Sequence, residues 1–324
     1  MAAWLVRRIG AALAIVFAVV TLTFFLIQLA PGTPFLQGSD RPTDPEVFRR
    51  LNAELGLDRP LLVRYGKWLV AVAHGELGES FSQRRPVAAA LADAIPNTLV
   101  LGAAALAIDF VLGLLLGVLQ AVRRGRATDI VLGNVALFLY SVPTFWLGLI
   151  ALLIFGQWLH WFPVGGITDA SVYPSLSWVG KIADRLWHLA LPALTLGLVG
   201  AAGTARYQRA AMLEALHQDF VRTARAKGVG ERRVIMRHVL RNALLPVITL
   251  FGLALPFLLT GAVLVETVFS WPGMGRLAAT AIFQRDYPLV TGATMLAATL
   301  VVAGTLVADV LYHVADPRVR VDAT

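Results

Sequence analysis

Six apolar segments, each about as long as a helix that crosses a bilayer, constrain this chain of 324 residues more than any other feature. A transmembrane helix needs roughly 20 mainly apolar residues. The composition agrees, because 57% of the residues are hydrophobic and only 15% are charged, whereas about a quarter of an average soluble protein is charged. We therefore predict an all-α integral membrane protein with six transmembrane helices, at about 10–30, 97–121, 130–159, 189–205, 243–266 and 289–312.

The first apolar segment has one feature of a secretory signal, because Arg7 and Arg8 precede it. Its apolar run exceeds the roughly 7 to 15 residues of a signal sequence, and Pro31 follows Ala30 where cleavage would be expected. We therefore interpret 1–31 as an N-terminal transmembrane helix. An extracytoplasmic segment is expected at 32–95, with an amphipathic stretch at 46–55 and an aromatic-containing one at 61–72.

Lys and Arg are unevenly distributed between the two sides of these segments. One side carries sixteen of them and a net charge of +10, and the other carries twelve and a net charge of +1. Cytoplasmic loops are enriched in Lys and Arg, so both termini are predicted to be cytoplasmic, with 314–324 as a cytoplasmic tail. The total net charge of +8 is then explained without a nucleic-acid partner.

The cytoplasmic segment 206–242 is dense in Arg, contains no Pro and has a helical pattern. Its apolar residues recur at steps of three and four: Leu213, Leu216, Phe220 and Ala224. Gly228-Val229-Gly230 interrupts this helix, and Glu231 begins a second one with an acid in its first turn. The pattern predicts a helix-turn-helix on the cytoplasmic face. The alternative is a solvated loop with a basic helix that binds acidic lipid headgroups.

Two strings in this region carry a family resemblance, DFVRTARAKG at 219–228 and RHVLRNALLP at 237–246. The chain resembles the permeases of binding-protein-dependent ABC importers, and within them the dipeptide, oligopeptide and nickel branch. In the general family motif, Glu-Ala-Ala, three residues and then Gly, the counterparts are Arg222, Thr223, Ala224 and Gly228. The chain departs from the general pattern at Leu240-Arg241, where that pattern has Leu-Pro.

The resemblance extends over essentially the whole chain, in the same order. Seven further strings carry it: LAPGTP at 29–34, LGLDRP at 55–60, GELGES at 75–80, SVPTFWLG at 141–148, VETVFSWPGMG at 265–275, RDYP at 285–288 and DPRVR at 316–320. Each string alone is a weak signal, and together they make the resemblance specific.

The resemblance implies the type I ABC importer transmembrane fold, with its core at 96–313. It also implies half of a translocation pathway in a bacterial cytoplasmic membrane, completed by a second permease subunit in a heterodimer. Two cytoplasmic ATPase subunits and an extracytoplasmic solute-binding protein are the other implied partners, since the chain has no Gly-x-x-x-x-Gly-Lys-Ser/Thr loop of its own. The implied solutes are di- or oligopeptides, with nickel or another small solute as the alternative.

The resemblance also assigns a coupling element that meets the ATPase. It comprises Arg222, Thr223, Ala224, Arg225, Lys227 and Gly228. A short helix seated in a groove of a partner can transmit rigid-body motion. We expect Ala224 to contact the partner and leave Phe220 open, and we expect Gly228 and Gly230 to permit a turn that a β-carbon would hinder.

Polar or helix-breaking residues within the apolar segments are candidates to line the pathway, because irregular backbone at membrane depth must lie beside protein or a water-filled cavity. They are Ser141, Pro143, Thr144, Thr195, Thr249 and Pro256. The candidate outer gate or docking surface consists of Glu266, Trp271, Pro272 and Gly273. Each proline can instead kink a helix, each threonine can bond its own backbone, and Trp271 can belong to an interfacial aromatic belt.

Asp109 lies near the middle of the second apolar segment, where an unpaired charge costs about 2.5 to 3.5 kcal/mol. It is either a proton or cation relay or a buried hydrogen-bonded acid, and we favour the second. No metal site, cofactor or catalytic residue is predicted, because Cys is absent and His160, His188 and His313 stand at the edges of the apolar segments, where a histidine is more often a hydrogen-bonded structural group.

Two other functional classes compete with an importer permease. An intramembrane hydrolase is disfavoured because the chain has no Gly-x-Ser-x-Gly string. An ion-coupled secondary transporter usually carries paired intramembrane charges and repeated halves, and the sequence has neither.

Overall fold

The computed structural model describes residues 2–29, 58–260 and 262–315, and in them the chain is helical apart from turns, loops and one isolated β-bridge between Glu79 and Pro86. The helices are α1 (Ala2–Leu29), α2 (Leu61–Ala73), α3 (Val87–Val122), α4 (Ala127–Ser141), α5 (Thr144–Ala151), α6 (Trp178–Leu216), α7 (Asp219–Ala226), α8 (Glu231–Ala243), α9 (Leu245–Thr260), α10 (Val263–Val268), α11 (Met274–Phe283) and α12 (Tyr287–Ala315). A π-helical stretch at Leu152–Trp158 continues α5, another at Val234–Val239 lies within α8, and a 3₁₀ turn at Tyr173–Ser175 precedes α6. The predicted all-α class is confirmed, and the predicted stretch at 46–55 lies outside the described residues.

Four helical segments are long and apolar enough to cross a bilayer: Arg7–Leu29, Val87–Val122, Trp178–Leu216 and Tyr287–Leu306. Two bent pairs also pass this test, namely Ala127–Ser141 with Thr144–Trp158 and Glu231–Ala243 with Leu245–Ala254. The helices of the first pair meet at 104°, and those of the second at 42°. The described residues therefore contain four candidate spans, or six if each bent pair is one span.

The predicted third span is broken at Val142-Pro143. Val142 precedes a proline, which disfavours helical backbone, and it is extended, with φ −85° and ψ 134°. Pro143 then stands at the N-cap of α5. Hydropathy shows how long an apolar segment is but not whether its helix axis bends. The sequence therefore predicts one continuous helix at 130–159.

The predicted fourth span at 189–205 is only the middle of α6, which has 39 residues. The flanks of α6 carry charged residues such as Arg185, Arg206 and Glu214, so an apolar window excludes them although the backbone stays helical. Ser177 caps the start of α6, because its side chain accepts a hydrogen bond from the backbone N–H of Gly180 at 3.3 Å. The boundaries drawn from the sequence are therefore too short.

The chain divides into two compact units, one of Met1–Asn97 and Gly273–Val302 and the other of Thr98–Pro272 and Ala303–Thr324. In the first unit, aromatic rings join α1 to α2. The ring centroid of Phe24 lies 5.3 Å from that of Tyr65 and 5.2 Å from that of Trp68. A buried apolar cluster joins the start of α3 to α11 and α12. The unit therefore packs helices from both ends of the chain into one core.

Asp286, at the start of α12, ties down the loop that precedes α3, an arrangement that we call the Asp286 clasp. Its Oδ2 accepts hydrogen bonds from Ser80 Oγ at 2.5 Å and from the N–H and Oγ of Ser82 at 2.9 and 2.7 Å, and its Oδ1 accepts one from the N–H of Leu289 at 3.2 Å. Burial alone would raise the pKa of Asp286, but these bonds favour the ionised form and lower the pKa below its usual value. The GELGES and RDYP strings thus meet, although Ser80 and Asp286 are 206 positions apart.

In the second unit, α6 contacts both α3 and α4. Helix α3 runs parallel to α6, because Asp109 bonds Thr204, and Ala121, further along α3, shares a buried cluster with Met212, further along α6. Helix α4 runs antiparallel to α6. Asp129 near the start of α4 bonds Arg209, and Tyr140 near its end lies beside Gly203.

Glycines allow α3 and α6 to approach closely. A β-carbon added at Gly117 would lie 2.6 Å from Cβ of Gln208 and 2.7 Å from the backbone oxygen of Ala205. One added at Gly200 would lie 2.4 Å from Oδ2 of Asp109. Non-bonded atoms reach their optimum only at about 3.5 to 4.0 Å, so a side chain at Gly117 would displace a helix, whereas one at Gly200 would displace the side chain of Asp109.

The same interface encloses amides that lack partners. Gln120 is 2% exposed and Gln208 is fully buried. Within the described part of the chain, Nε2 of Gln120 and both Nε2 and Oε1 of Gln208 have no hydrogen-bond partner. Buried polar groups are nearly always hydrogen-bonded, so this is an unusual feature of the α3/α6 interface.

Candidate functional site

The predicted coupling element forms a short helix and a turn, as the sequence pattern indicates. Helix α7 presents one face to its own chain, with Val221 fully buried and Ala224 only 7% exposed. The side chains of Arg222, Thr223, Arg225 and Lys227 are exposed. Phe220, at 38%, is also exposed. The element is thus a surface feature with a charged outer face.

Ala224 lies differently from the expectation that it contacts a partner. It belongs to a buried cluster with Met212, Val221, Val234 and Val239 of the same chain. The spacing of Val221 and Ala224, three residues apart, directs both to the same face of α7. Ala224 therefore seats α7 on the chain, whereas the large apolar side chain of Phe220 stays accessible.

Gly228 ends α7 with a conformation that other residues avoid. Its φ is +75°, and its N–H donates to the carbonyl of Arg225 at 2.9 Å while the N–H of Val229 donates to that of Ala224 at 3.2 Å. This pair of bonds is the Schellman arrangement, which favours glycine at this position. Gly230 differs from the prediction, because its φ of −58° suits any residue and a β-carbon there would have open space.

A salt bridge closes the turn between α7 and α8. Arg225 donates from Nη2 to Oε1 of Glu231 at 2.6 Å and from Nε to Oε2 at 3.1 Å. The hydrogen bond to Glu231 raises the pKa of Arg225 above its usual value. Both side chains are about half exposed, so this pair stabilises the turn by less than about 1 kcal/mol and chiefly fixes its geometry.

Helix α8 rests on the same cluster as α7. The π-helical stretch places Val234 and Val239, which are five residues apart, on the same side of α8. Both side chains are buried there against the C-terminal part of α6. An open groove of about 810 Å³ lies on its exposed side, lined by Gly230, Glu231, Arg232, Arg233, Met236 and Arg237. Helices α7 and α8 thus pack on the same continuous helix, α6, that also contacts α3.

An ion pair fixes α4 to α6 near this cluster. Arg209 donates from Nε to Oδ1 of Asp129 at 2.8 Å and from Nη2 to Oδ2 at 2.9 Å. Asp129 is buried and also accepts a hydrogen bond from the N–H of Gly125 at 3.0 Å. This pair is not among the predicted contacts, although the sequence carries a signal for it: Asp129 directly precedes the third apolar segment and Arg209 lies shortly after the fourth.

The candidate pathway residues have different surroundings. Ser141 and Pro143 are exposed and Thr144 is half-buried at the 104° break. Thr195 is 3% exposed and donates to the carbonyl of Leu191 at 2.9 Å, so it satisfies its own helix backbone. Thr249 and Pro256 lie in α9, and their side chains fall outside the described part of the structure.

The candidate outer residues are mostly buried. Glu266 is fully buried and accepts a hydrogen bond from Thr98 Oγ at 3.0 Å. Trp271 is 1% exposed and packs with Leu101, Leu189 and Ala193. Its backbone N–H donates to the backbone carbonyl of Glu266 at 2.8 Å. An aromatic-belt role for Trp271 is therefore wrong, because its ring lies in the protein core. Pro272 is exposed, and Gly273 is buried in the first unit.

Asp109 is half-buried and hydrogen-bonded. Thr204 donates from Oγ to Oδ1 of Asp109 at 2.6 Å, and Oδ2 lies against Gly200. This geometry suits a structural acid between α3 and α6. Among the described residues, no three His, Asp or Glu side chains are grouped as metal ligands would be.

Comparison with known sequences gives matches over the whole chain. The family described as "binding-protein-dependent transport system inner membrane component" matches residues 113–321, and its N-terminal counterpart matches residues 1–102. The di/tripeptide transport system permease protein of Pseudomonas aeruginosa is 42% identical, with 99% of each chain covered. The oligopeptide transport system permease protein of Bacillus subtilis is 39% identical over 99% of this chain and 100% of its own. The dipeptide transport system permease protein of Escherichia coli is 38% identical, with 99% of each chain covered.

Proposed function

The chain belongs to the family of binding-protein-dependent transport system inner membrane components, and we propose that it imports di- or oligopeptides as one permease subunit of an ATP-driven transporter. The observation that carries this proposal is the full-length similarity to three permeases named for peptide transport. None of these three is named for nickel, so the nickel alternative is not favoured. ATP hydrolysis in this family belongs to separate subunits.

We assign six crossings of a bacterial cytoplasmic membrane, with both termini inside. The parallel packing of α3 and α6 supports this topology, because two parallel spans require a return crossing between them, and α4 has the antiparallel direction that such a crossing needs. The excess of Lys and Arg supports the orientation. In this topology the coupling element is cytoplasmic and Glu266 and Trp271 lie toward the outer face.

The partners of the proposed transporter are a second permease subunit in a heterodimer, two ATPase subunits and a solute-binding protein. The ATPase contacts the exposed side of the coupling element through Arg222, Thr223, Arg225 and Lys227. Gly228 forms the turn that ends the helix, and Ala224 packs the helix on the chain. The supporting geometry is the buried cluster that joins α7 and α8 to α6. A push on α7 thereby becomes a change in how α6 packs on α3.

Uptake in a strain that lacks this chain tests the solute. Labelled dipeptide, labelled five-residue peptide and nickel are each compared with the complemented strain, with ATP depletion and dissipation of the ion gradient as separate treatments. We expect selective loss of one or both peptides and dependence on ATP. Loss of nickel uptake alone would replace the peptide assignment, and uptake that follows the ion gradient instead of ATP would indicate a secondary transporter.

A matched pair of glycine variants tests the coupling role. Gly228→Val forces a β-branched residue into a positive φ, which is a strongly disfavoured conformation, while Gly230→Val adds the same side chain to an extended backbone with open space. We expect Gly228→Val to lose uptake while the protein remains in the membrane, and Gly230→Val to keep most of it. Full ATP-driven uptake by Gly228→Val would disprove the role assigned to this turn.

A further inference from the structure

Three arginines form a stripe along the exposed side of α8. Arg233, Arg237 and Arg241 recur every four residues and are all exposed, so they lie on neighbouring positions of the helix surface. The opposite side of the helix is buried through Val234 and Val239. We call these three residues the arginine stripe.

The arginine stripe leads directly into an apolar surface. Leu245, four residues after Arg241, is 51% exposed, and Ile248 is 44% exposed. Helix α9, which they begin, forms a candidate span with α8 across a bend of only 42°. The exposed residues therefore change from Arg to aliphatic side chains where the second half of this candidate span begins.

The spacing along the helix places Arg241 at the depth of the lipid headgroups and Arg237 beyond it. The polar region on each side of a bilayer is about 5 to 7 Å thick. With a rise of about 1.5 Å per residue, Arg241 lies roughly 6 Å and Arg237 roughly 12 Å along the helix before Leu245. The long side chain of Arg237 can extend toward the interface.

Among the described residues, the guanidinium groups of the stripe have no acid that neutralises them. Within this same part of the chain, no carboxylate lies within ion-pair distance of Arg233, Arg237 or Arg241. The nearest acid in sequence, Glu231, is bound by Arg225. An anionic group from outside the chain would therefore find two adjacent donors with their charge uncompensated.

We infer that Arg237 and Arg241 bind the phosphate of an anionic phospholipid from the same leaflet, whose acyl chains lie along Leu245 and Ile248. A planar guanidinium binds phosphate oxygens in a bidentate manner, and basic sites beside transmembrane helices on the cytoplasmic side bind anionic headgroups. A lipid fits better than an acidic protein surface, because the charged and aliphatic parts of the site are continuous. The coupling element precedes this site in sequence, across the Gly228 turn, and Arg237 shares an open groove with Glu231, the partner of Arg225.

Native mass spectrometry of the assembled transporter tests this inference. The complex is titrated with phosphatidylglycerol and, separately, with phosphatidylcholine, for the wild type and for the double variant Arg237→Gln/Arg241→Gln. Each basic residue near a membrane surface contributes about 1 kcal/mol, so we expect roughly 30-fold weaker binding of the first phosphatidylglycerol in the double variant, which is about 2 kcal/mol. Binding of phosphatidylcholine should not change.

The control is Arg123→Gln/Arg124→Gln, which removes the same charge from the exposed turn between α3 and α4. Because this turn also lies at the end of a span but holds no part of the proposed site, we expect it to weaken phosphatidylglycerol binding by much less than Arg237→Gln/Arg241→Gln does. An equal loss of phosphatidylglycerol affinity in both double variants would show that only the net charge matters and would overturn the site. No loss of affinity in either variant would overturn it as well. If Arg237→Gln/Arg241→Gln released the ATPase subunits but kept its lipid, the stripe would belong to the ATPase interface. These readouts do not depend on which solute is carried.

Discussion

The Asp286 clasp and the α3/α6 interface hold their buried polar groups in opposite ways. In the clasp, one fully buried carboxylate accepts four hydrogen bonds from the described residues. In the α3/α6 interface, helix packing is close because glycines permit it, while the fully buried amide of Gln208 has no partner among those residues. The buried carboxylate of the clasp is fully hydrogen-bonded, whereas the buried amide of the interface has no partner among the described residues.

From this difference we predict that the α3/α6 interface rearranges more readily than the clasp. Separating Asp286 from its donors would expose a charge to an apolar environment, so the clasp favours a single arrangement. The unpaired amide of Gln208 instead destabilises the observed packing by about 1 to 3 kcal/mol. A second arrangement of α3 on α6 that gave this amide a partner would recover that free energy, which is what a two-state element in a transporter requires.

The largest expected effect comes from filling the α3/α6 interface. We predict that Gly117→Leu prevents stable folding, because its β-carbon alone would lie 2.7 Å from the backbone oxygen of Ala205, which cannot move without α6. Overpacking of this type costs about 3 kcal/mol or more. Membrane levels and the melting temperature of the purified complex measure it.

Gly133→Leu is the matched control, because Gly133 also lies inside a helix but has no atom within 4 Å of an added β-carbon. It should accumulate like the wild type. Equal loss in both variants would show that glycine matters for the helices themselves and not for the approach of α3 to α6.

The second prediction concerns the clasp. Asp286→Asn should lower the free energy of unfolding by about 2 to 3 kcal/mol, because an amide offers one acceptor where the carboxylate accepts four bonds. Asp93→Asn is the control, since Asp93 makes an exposed salt bridge with Arg85 worth less than about 1 kcal/mol. Thermal unfolding at neutral pH compares the two.

The clasp also predicts a pH dependence. The folded-state pKa of Asp286 is lowered, so its contribution is fully present above the unfolded pKa of about 3.9 and is lost as the pH falls through the lower folded value. The wild type should therefore lose stability more steeply than Asp286→Asn below about pH 4. Parallel slopes for the two proteins would exclude an ionised Asp286.

The third prediction is a substitution that raises stability instead of lowering it. Gln208→Met keeps the length of the side chain and removes a buried amide without partners, so it should raise the free energy of unfolding by about 1 to 3 kcal/mol. Gln284→Met, at an exposed position, should be nearly neutral. If Gln208→Met were destabilising, the amide would have a partner in the working protein, and the proposed contrast with the clasp would fail.

The features that follow from local pattern are those that the sequence predicts. Apolar length identifies the spans, and Gly228 identifies the turn because one backbone conformation favours glycine there. The sequence shows the proline at position 143, but it does not show that the helices on either side of it are bent by 104°. Partners distant in the chain stay hidden, since nothing in the sequence around Ser80 names Asp286. Periodicity likewise places Ala224 on an apolar face of α7 without showing that this face packs on α6.

The smallest expected effect separates the two interpretations of Asp109. Asp109→Asn keeps an oxygen that accepts the hydrogen bond from Thr204, so as a structural acid it should change stability by less than about 1 kcal/mol and leave uptake intact. Asp109→Leu removes that acceptor and leaves the buried hydroxyl of Thr204, which is 6% exposed, without its bond, so it should cost more, about 1 to 3 kcal/mol. A proton or cation relay would give a different order, because Asp109→Asn would assemble normally and still lose uptake. Measuring uptake and the melting temperature on both variants thus shows whether the α3/α6 interface, like the clasp, uses its acid only for structure.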